Sequence, residues 1–259
     1  MSSHGFSSLA GRVVLVTGGS GHIGSTLARA FLEQGSLVAT ADIAEAPTFG
    51  DFHDRHVHLT VDLADPAAAS DLPERVLSEF GRLDIMVCAA AFVGTSASEG
   101  WTVSFKEQDD SMWPHALGVN LTANFALVKA ASEPLAASGV GSVILISSIY
   151  AVVAPQPSLY EGLPIDNPAG YAVSKAGVTQ LARWLSTAMA PDVRVNSLTP
   201  GGVYRDHDPE FVRRYEDLTP LARMASEDDL VGPVLFLASD LARYITGHDL
   251  VVDGGFSVW

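Results

Sequence analysis

Three things are scarce in this 259-residue chain: cysteine, positive charge and long apolar runs. The single cysteine, Cys88, cannot form an internal disulfide, so no disulfide framework is expected. Fifteen basic against thirty acidic side chains leave a net charge of −15, which repels nucleic acid and anionic membrane surfaces; no polyanion partner is expected. Apolar runs such as 13–16 and 143–146 are far too short to span a bilayer, and strand burial explains them. The start, Met1-Ser2-Ser3-His4-Gly5, has neither a cationic region nor an apolar signal core. These absences point to a cytoplasmic protein with no membrane segment.

What the chain does have is apolar content, 47% by residue, enough for one sizeable core without a second domain. Short β-branched runs at 12–17, 37–41, 56–61, 85–89, 142–146, 193–197 and 249–252 read as seven strands. Helical patterns at 23–33, 66–80, 110–137, 169–189 and 226–238 fill the connections between them. Fully apolar strands joined by helices predict a parallel sheet covered on both faces, a doubly wound α/β fold of the Rossmann type in a single domain over 1–259. Two stretches lack periodicity, 92–108 and 154–168, and stand as candidate binding loops. His53, His56 and His58 cluster, but without a carboxylate-rich loop they are expected to be exposed polar residues, and no metal site is assigned.

After the first strand comes Thr17-Gly18-Gly19-Ser20-Gly21-His22-Ile23-Gly24, leading into a helix. Glycines let backbone turn sharply and approach a pyrophosphate, whose charge the unpaired N–H groups of a helix N-terminus stabilise. Asp42 ends the second strand eighteen residues after Gly24, where an acid would hydrogen-bond the adenosine ribose diol. A carboxylate there repels a 2′-phosphate, so NAD is expected over NADP. The other reading of Asp42 is a cap on the following segment. Asp62-Leu63, ending the third strand, is placed against the adenine.

Tyr171 and Lys175 stand one helical turn apart in Tyr171-Ala172-Val173-Ser174-Lys175, downstream of the pair Ser147-Ser148. A phenol with a pKa of roughly 10 cannot transfer protons near neutrality unless that value falls, and an ammonium at i+4 is expected to lower it. Tyrosine plus lysine reads as a proton-transfer device.

With the glycine turn, Asp42, Asn120, Ser148, Tyr171 and Lys175 in this order, the chain resembles the short-chain dehydrogenase/reductase superfamily. The resemblance extends over 10–256, through Leu83-Asp84-Ile85, Val119-Asn120-Leu121, Val193-Arg194-Val195-Asn196-Ser197, Pro200-Gly201 and Val252-Asp253-Gly254-Gly255. It implies that Gly18, Ser20, Gly21, His22, Ile23 and Gly24 cradle the dinucleotide, with Ala89, Ala90, Ala91, Pro200, Gly201 and the Val203 backbone also against it. It implies a tetrad in which Ser148 orients the carbonyl or alcohol, Tyr171 transfers the proton, Lys175 binds the nicotinamide ribose and Asn120 supports a proton-relay water. It further implies a homotetramer.

Three departures from the family pattern stand out. The spacing Gly18, Gly21, Gly24 is similar to that of the longer sugar-nucleotide members. Cys88-Ala89-Ala90-Ala91 replaces the usual Asn-Asn-Ala-Gly and removes an amide that ties strands together. Arg205 stands where a threonine often contacts the cofactor amide.

The interval between Ser148 and Tyr171 is long, and it contains Pro155, Pro157, Tyr160, Glu161, Pro164 and Asp166. An acidic, aromatic, proline-stiffened loop suits a polyol better than a fatty chain. Together with a substrate and oligomer region at 202–225, this predicts an NAD(H)-dependent oxidoreductase interconverting a secondary alcohol and a ketone, with a sugar or polyol as substrate. Ser147-Ser148-Ile149-Tyr150 and Ser158-Leu159-Tyr160-Glu161-Gly162 are also similar to a subgroup associated with surface-sugar and flagellin-modification pathways. Of the four aromatics Trp101, Trp113, Tyr204 and Tyr215, packing is the expected role. One alternative is a sugar epimerase or dehydratase that retains NAD, although the chain ends soon after Gly255 and leaves no length for a second domain. The alternative from another class is a non-catalytic dinucleotide-binding regulator.

Overall fold

The computed structural model describes residues 6–93 and 99–259; positions 94–98 of the expected 92–108 loop lie outside the described residues. Seven strands form one sheet: β1 (Val13–Thr17), β2 (Leu37–Asp42), β3 (His56–Thr60), β4 (Ile85–Cys88), β5 (Gly141–Ile146), β6 (Val193–Pro200) and β7 (Asp249–Val252). Every pairing is parallel and the order is β3-β2-β1-β4-β5-β6-β7. The seven expected strands are all present, with ends displaced by up to three residues.

Period-2 alternation divides the sheet residues between two cores. Val13, Leu15 and Met86 face Leu72 and Val76 of α2 (Pro66–Phe80), together with Val178 and Leu185 further along the chain. Val14, Val16, Ile85 and Val87 face the opposite layer, where Leu27 and Phe31 of α1 (His22–Glu33) pack beside Leu230 and Val234. Each fully buried Leu or Phe contributes on the order of 2 kcal/mol, so the two-sided burial of β1 and β4 makes them the fixed centre of the sheet. α2 is delimited as its sequence predicts: Asp65 accepts from Ala67 N at 2.9 Å, Pro66 opens the first turn, and Gly81 closes it at φ +73°.

The helix expected over 110–137 is instead broken. It contains α3 (Trp113–Leu117), a π turn (Gly118–Thr122), α4 (Ala123–Ala130) and α5 (Ser132–Ala137). Pro134 has no N–H to give Ala130 O and its ring crowds that carbonyl, which ends α4 there. The remaining helices are α6 (Pro157–Tyr160), α7 (Ala169–Ala188), α8 (Pro209–Asp217) and α9 (Asp228–Ala238). α8 is absent from the sequence expectations, although Asp208 accepting from Glu210 N, Pro209 at the first turn, and Phe211 and Tyr215 buried at i, i+4 are a legible signature.

From β1 the chain runs outward through β2 and β3, then crosses back to β4 on the other side of β1. Connections leaving β1 and β4 in opposite directions open a crevice at their carboxyl ends, where ligands bind in such sheets.

Candidate active site

A cavity of about 460 Å³ lies at that crevice. Its floor begins at Gly18, which has φ +67°. A Cβ there would stand 2.7 Å from Ala90 Cα, and one on Gly24 would stand 2.0 Å from Gly18 O. No side chain fits at either position. The tight turn brings Gly18, Gly21, His22, Ile23 and Gly24 to the cavity wall. Among the described residues, the N–H groups of His22, Ile23 and Gly24 meet no protein acceptor at the start of the 12-residue α1. Free donors at a helix N-terminus on a cavity wall fit a pyrophosphate.

Asp42 lines an adjoining cavity of about 350 Å³ with Asp62, Leu63, Ala89, Ala90 and Ala91. Its two carboxylate oxygens accept from Ser20 N and Ala44 N, each at 3.0 Å. The cap reading and the ligand reading of Asp42 are compatible: backbone bonds hold the carboxylate, and the residue lines the cavity. Ser20 lines neither cavity; its N–H holds Asp42 and its hydroxyl donates to Glu45 O at 2.7 Å. Its backbone thereby positions Asp42. The amide missing from Cys88-Ala89-Ala90-Ala91 is replaced by Thr17, whose O accepts from Ala89 N at 3.2 Å and whose Oγ1 accepts from Ala90 N at 3.3 Å. His56 Nε2 and His58 Nδ1 both turn onto Thr40 Oγ1, at 2.7 and 3.0 Å. Among the described residues no three His, Cys, Asp or Glu side chains gather as a metal set.

Ser148, Tyr171 and Lys175 line the larger cavity together with Pro200, Gly201 and Val203. Ser147 bolts β5 to α7: its hydroxyl donates to Lys175 O at 2.9 Å and shares a hydrogen bond with Thr179 Oγ1 at 2.9 Å. Ser148, one residue on, is thereby held in the same cavity wall as Tyr171, and its Oγ accepts from Tyr150 N at 3.3 Å. Lys175 is buried, donates from Nζ to Ile146 O at 2.9 Å, and stands 5.8 Å from the centroid of the Tyr171 ring. Burial lowers its pKa to about 8.

The phenol itself departs from expectation. Burial raises the Tyr171 pKa, opposed by the Ser148 hydrogen bond and by the Arg205 guanidinium. In the protein alone the shift thus runs upward, with the Arg205 guanidinium among the groups that oppose it, while the buried Lys175 ammonium donates to a backbone carbonyl. Arg205 lines the cavity and pairs with Glu227 at 3.0 Å.

Asn120 is fully buried and does not line the cavity. Its Oδ1 accepts from Phe92 N at 2.6 Å, its Nδ2 donates to Phe92 O at 3.0 Å and Ser174 Oγ at 2.9 Å, and its carbonyl accepts from Asn124 Nδ2 at 2.7 Å. The π turn around it joins the segment after β4 to α7, a common use of such turns near functional sites. Its geometry is that of a positioning residue between Ser174 and the cavity rim.

The far wall comes from 154–168 and 202–225. Tyr150, Tyr160, Asp166 and Asn167 line the cavity together with His207, Phe211, Tyr215 and Met224, and the Tyr160 ring packs on Phe211 at 5.7 Å. α6 rests on α8 through Leu159, Phe211 and Tyr215, and Arg214 Nη1 donates to Ser158, Leu159 and Glu161 carbonyls at 3.1, 3.4 and 2.7 Å. Tyr215 Oη accepts from Gly202 N at 2.6 Å. Gln108 clasps the entry to α7, donating to Asn167 O at 3.1 Å and accepting from Ala169 N at 3.0 Å. The two aperiodic segments thus meet at the site. Trp101 and Trp113 pack under α7 at Gly170, and Tyr204 is half exposed; only Tyr215 of the four aromatics lines the cavity. Asn167, His207, Phe211 and Met224 were missed in the sequence, since none stands in a motif; the Asp208-Pro209 helix start was the available signal.

The chain matches the family described as enoyl-(acyl carrier protein) reductase over residues 19–257. It is 31% identical to the sorbose reductase of Schizosaccharomyces pombe, over 96% of this chain and 97% of that one. It is 30% identical to the D-threitol dehydrogenase of Mycolicibacterium smegmatis, over 96% and 94%. A short-chain dehydrogenase of Leptospira borgpetersenii solved with bound NAD+ superposes with a TM-score of 0.88 at 30% identity, over 99% and 97% of the two chains. Fold, site and relatives agree: the chain belongs to the short-chain dehydrogenase/reductase superfamily, as an oxidoreductase acting on CH–OH and C=O groups with a nicotinamide dinucleotide. No helix among the described residues is long and apolar enough to cross a membrane.

Proposed function

We propose that this chain interconverts a secondary alcohol and a ketone on a sugar or polyol, using NAD(H), with Tyr171 as the proton-transfer residue. The observation that carries the reading is the sharing of one cavity by Ser148, Tyr171, Lys175 and the glycine turn. The names of the two curated relatives support the substrate class. When bound, the dinucleotide supplies the hydride chemistry at its nicotinamide ring. Ser148 orients the reacting oxygen, and Tyr171 Oη takes its proton in oxidation and returns it in reduction. Lys175 has two ammonium protons beyond the one given to Ile146 O, available to ribose hydroxyls. Gly18, Gly21, His22, Ile23 and Gly24 hold the pyrophosphate, Pro200, Gly201 and Val203 the nicotinamide end, and Ala89, Ala90 and Ala91 the stretch between.

Asp42 favours NAD over NADP because a 2′-phosphate beside its carboxylate is repelled, with Asp62 and Leu63 on the adenine side. Asn120 acts through the position of α7. Phe125 and Trp184 meet edge-on in an exposed pair on α4 and α7, and Val258 and Trp259 are exposed near the C-terminal end of the chain. Apolar surface of this kind supports the homotetramer, which sedimentation velocity would reveal. The buried lone thiol of Cys88 suits a reducing, cytoplasmic setting.

The test is Tyr171→Phe. Alcohol turnover falls by about 10³-fold or more while NADH binding, followed by fluorescence, stays within about twofold. Turnover retained in that variant would falsify the assignment.

A further inference from the structure

The cavity wall built from 202–225 carries an imidazole whose hydrogen-bonding direction is fixed. His207 lines the same cavity as Tyr171 and Ser148. Its Nδ1 accepts from Arg205 N at 3.0 Å, so that nitrogen carries no proton. Burial, and after it the charge of Arg205, lowers the His207 pKa from the ordinary 6.5 against the opposing pull of Asp206. A neutral ring with a proton-free Nδ1 carries its proton on Nε2, which makes Nε2–H a donor. Among the described residues that are not exposed, the one side-chain N or O atom both shielded from solvent and without a partner is Asn167 Oδ1. His207 is half-buried and its Nε2 has no protein partner, so this donor is open to a ligand.

The backbone around the ring is anchored on both sides. Upstream, Tyr204 N donates to Ala225 O at 2.9 Å and the Arg205 guanidinium pairs with Glu227 at 3.0 Å. Downstream, Asp208 accepts from Glu210 N at 2.8 Å and opens α8. Between them Asp206 has φ +46°, in the left-handed region that a residue other than glycine enters at a cost. The Arg205 N to Nδ1 bond spans this turn, and the ring lies stacked on Phe211 at 5.3 Å with 18° between the planes. A strained and clamped turn that fixes one donor on a reaction cavity is pre-organised for an acceptor on the ligand. The charges nearby select the kind of acceptor. Arg205 is already paired with Glu227 and Asp166 adds a carboxylate to the cavity lining, so a neutral hydroxyl oxygen fits this wall better than an anion.

We propose that His207 is a specificity-determining residue whose Nε2–H donates a hydrogen bond to a substrate hydroxyl other than the one that reacts at Tyr171. The ligand class is a polyol or sugar, and the inference rests on the oxidoreductase reading above. A site built to bond a hydroxyl discriminates against the analogue lacking it, because its own polar group then loses its partner.

The experiment measures kcat/KM for the polyol turned over fastest in a screen and for the series of its mono-deoxy counterparts, each keeping the reacting hydroxyl. In the wild-type protein the loss of one hydroxyl in the series costs about tenfold or more. His207→Phe keeps a ring to stack on Phe211 but has no donor. It loses about tenfold on the parent polyol through KM, less than about twofold on the deoxy compound singled out by the wild type, and about tenfold on the other deoxy compounds. His207→Gln, whose amide nitrogen can stand where Nε2 stood, still discriminates at that same position by about threefold or more. NADH binding is unchanged in both variants. A wild-type series with no such position, a His207→Phe loss shared by every compound or by none, or discrimination erased in His207→Gln as fully as in His207→Phe overturns the inference and leaves the oxidoreductase reading intact. Absence of any alcohol or ketone turnover in the wild type sinks that reading itself, and this inference with it.

Discussion

At Gly18 the cavity wall is backbone, folded so tightly that Ala90 leaves no space for a Cβ; at Tyr160 the wall is side chains, drawn from segments more than fifty residues apart. The first end needs only a strand, a turn and the start of a helix, consecutive in the chain. The second needs Arg214 on α8 to hold the carbonyls of Ser158, Leu159 and Glu161, and Gln108 to hold Asn167 and Ala169. A ligand part common to many enzymes can be read by backbone. A variable substrate calls for side chains on adjustable loops, and the contrast teaches where specificity can change without loss of the fold.

Breaking the backbone end should have the larger effect. Gly24→Ala places a methyl 2.0 Å from Gly18 O, so the turn must open. NADH affinity measured by titration should fall by about 100-fold, since several charge-assisted bonds to the pyrophosphate are lost together. Unchanged affinity would show that the turn does not hold the dinucleotide. A milder change at the same end is Asp42→Ser, which removes the repulsion and should move the ratio of kcat/KM for NAD over NADP by about tenfold toward NADP.

Lys175, between the two ends, separates activity from stability. Its folded pKa of about 8 lies below the ordinary 10.5, so the unfolded chain binds more protons between these values and stability rises with pH across that window. Below about 8 the buried cation is charged and its cost is fully present. Lys175→Met should therefore raise stability at pH 7 by about 2 kcal/mol, the burial cost less the bond to Ile146 O, while turnover collapses. Melting temperatures at pH 7 and pH 10 check this; a variant less stable than the parent at pH 7 contradicts it. The smallest effect belongs to the substrate wall: Arg214→Met frees the carbonyls of Ser158, Leu159 and Glu161 and should raise the substrate KM by about threefold, with NADH binding and kcat nearly unaltered. A matching loss of NADH affinity would erase the distinction between the two ends.

Legibility follows the same division. Asp65-Pro66 and Gly81 delimit α2 by local chemistry, and β1 and β4 announce themselves as unbroken apolar runs, so these were readable. Tyr171, Lys175 and Ser148 were readable because their spacing and order are fixed by one helix and one strand end. The protein contacts of Ser20 and Asn120 were not readable: the one holds Asp42, the other joins Phe92 to Ser174. Pro134 was visible, and the break it makes between α4 and α5 is a local effect that the sequence reading of 110–137 passed over. The upward shift of the Tyr171 pKa could not be read at all, because it arises from burial.

By itself the amino-acid order determined the parallel sheet, the glycine turn, the acid at Asp42 and the helix that carries tyrosine and lysine, since each depends on residues within one or two turns of one another. Only the tertiary structure decided that burial raises the Tyr171 pKa and that Arg205, from a segment more than thirty residues away, comes to line the same cavity. Desolvation and long-range contact are properties of the packed molecule, set by which distant segments exclude water together.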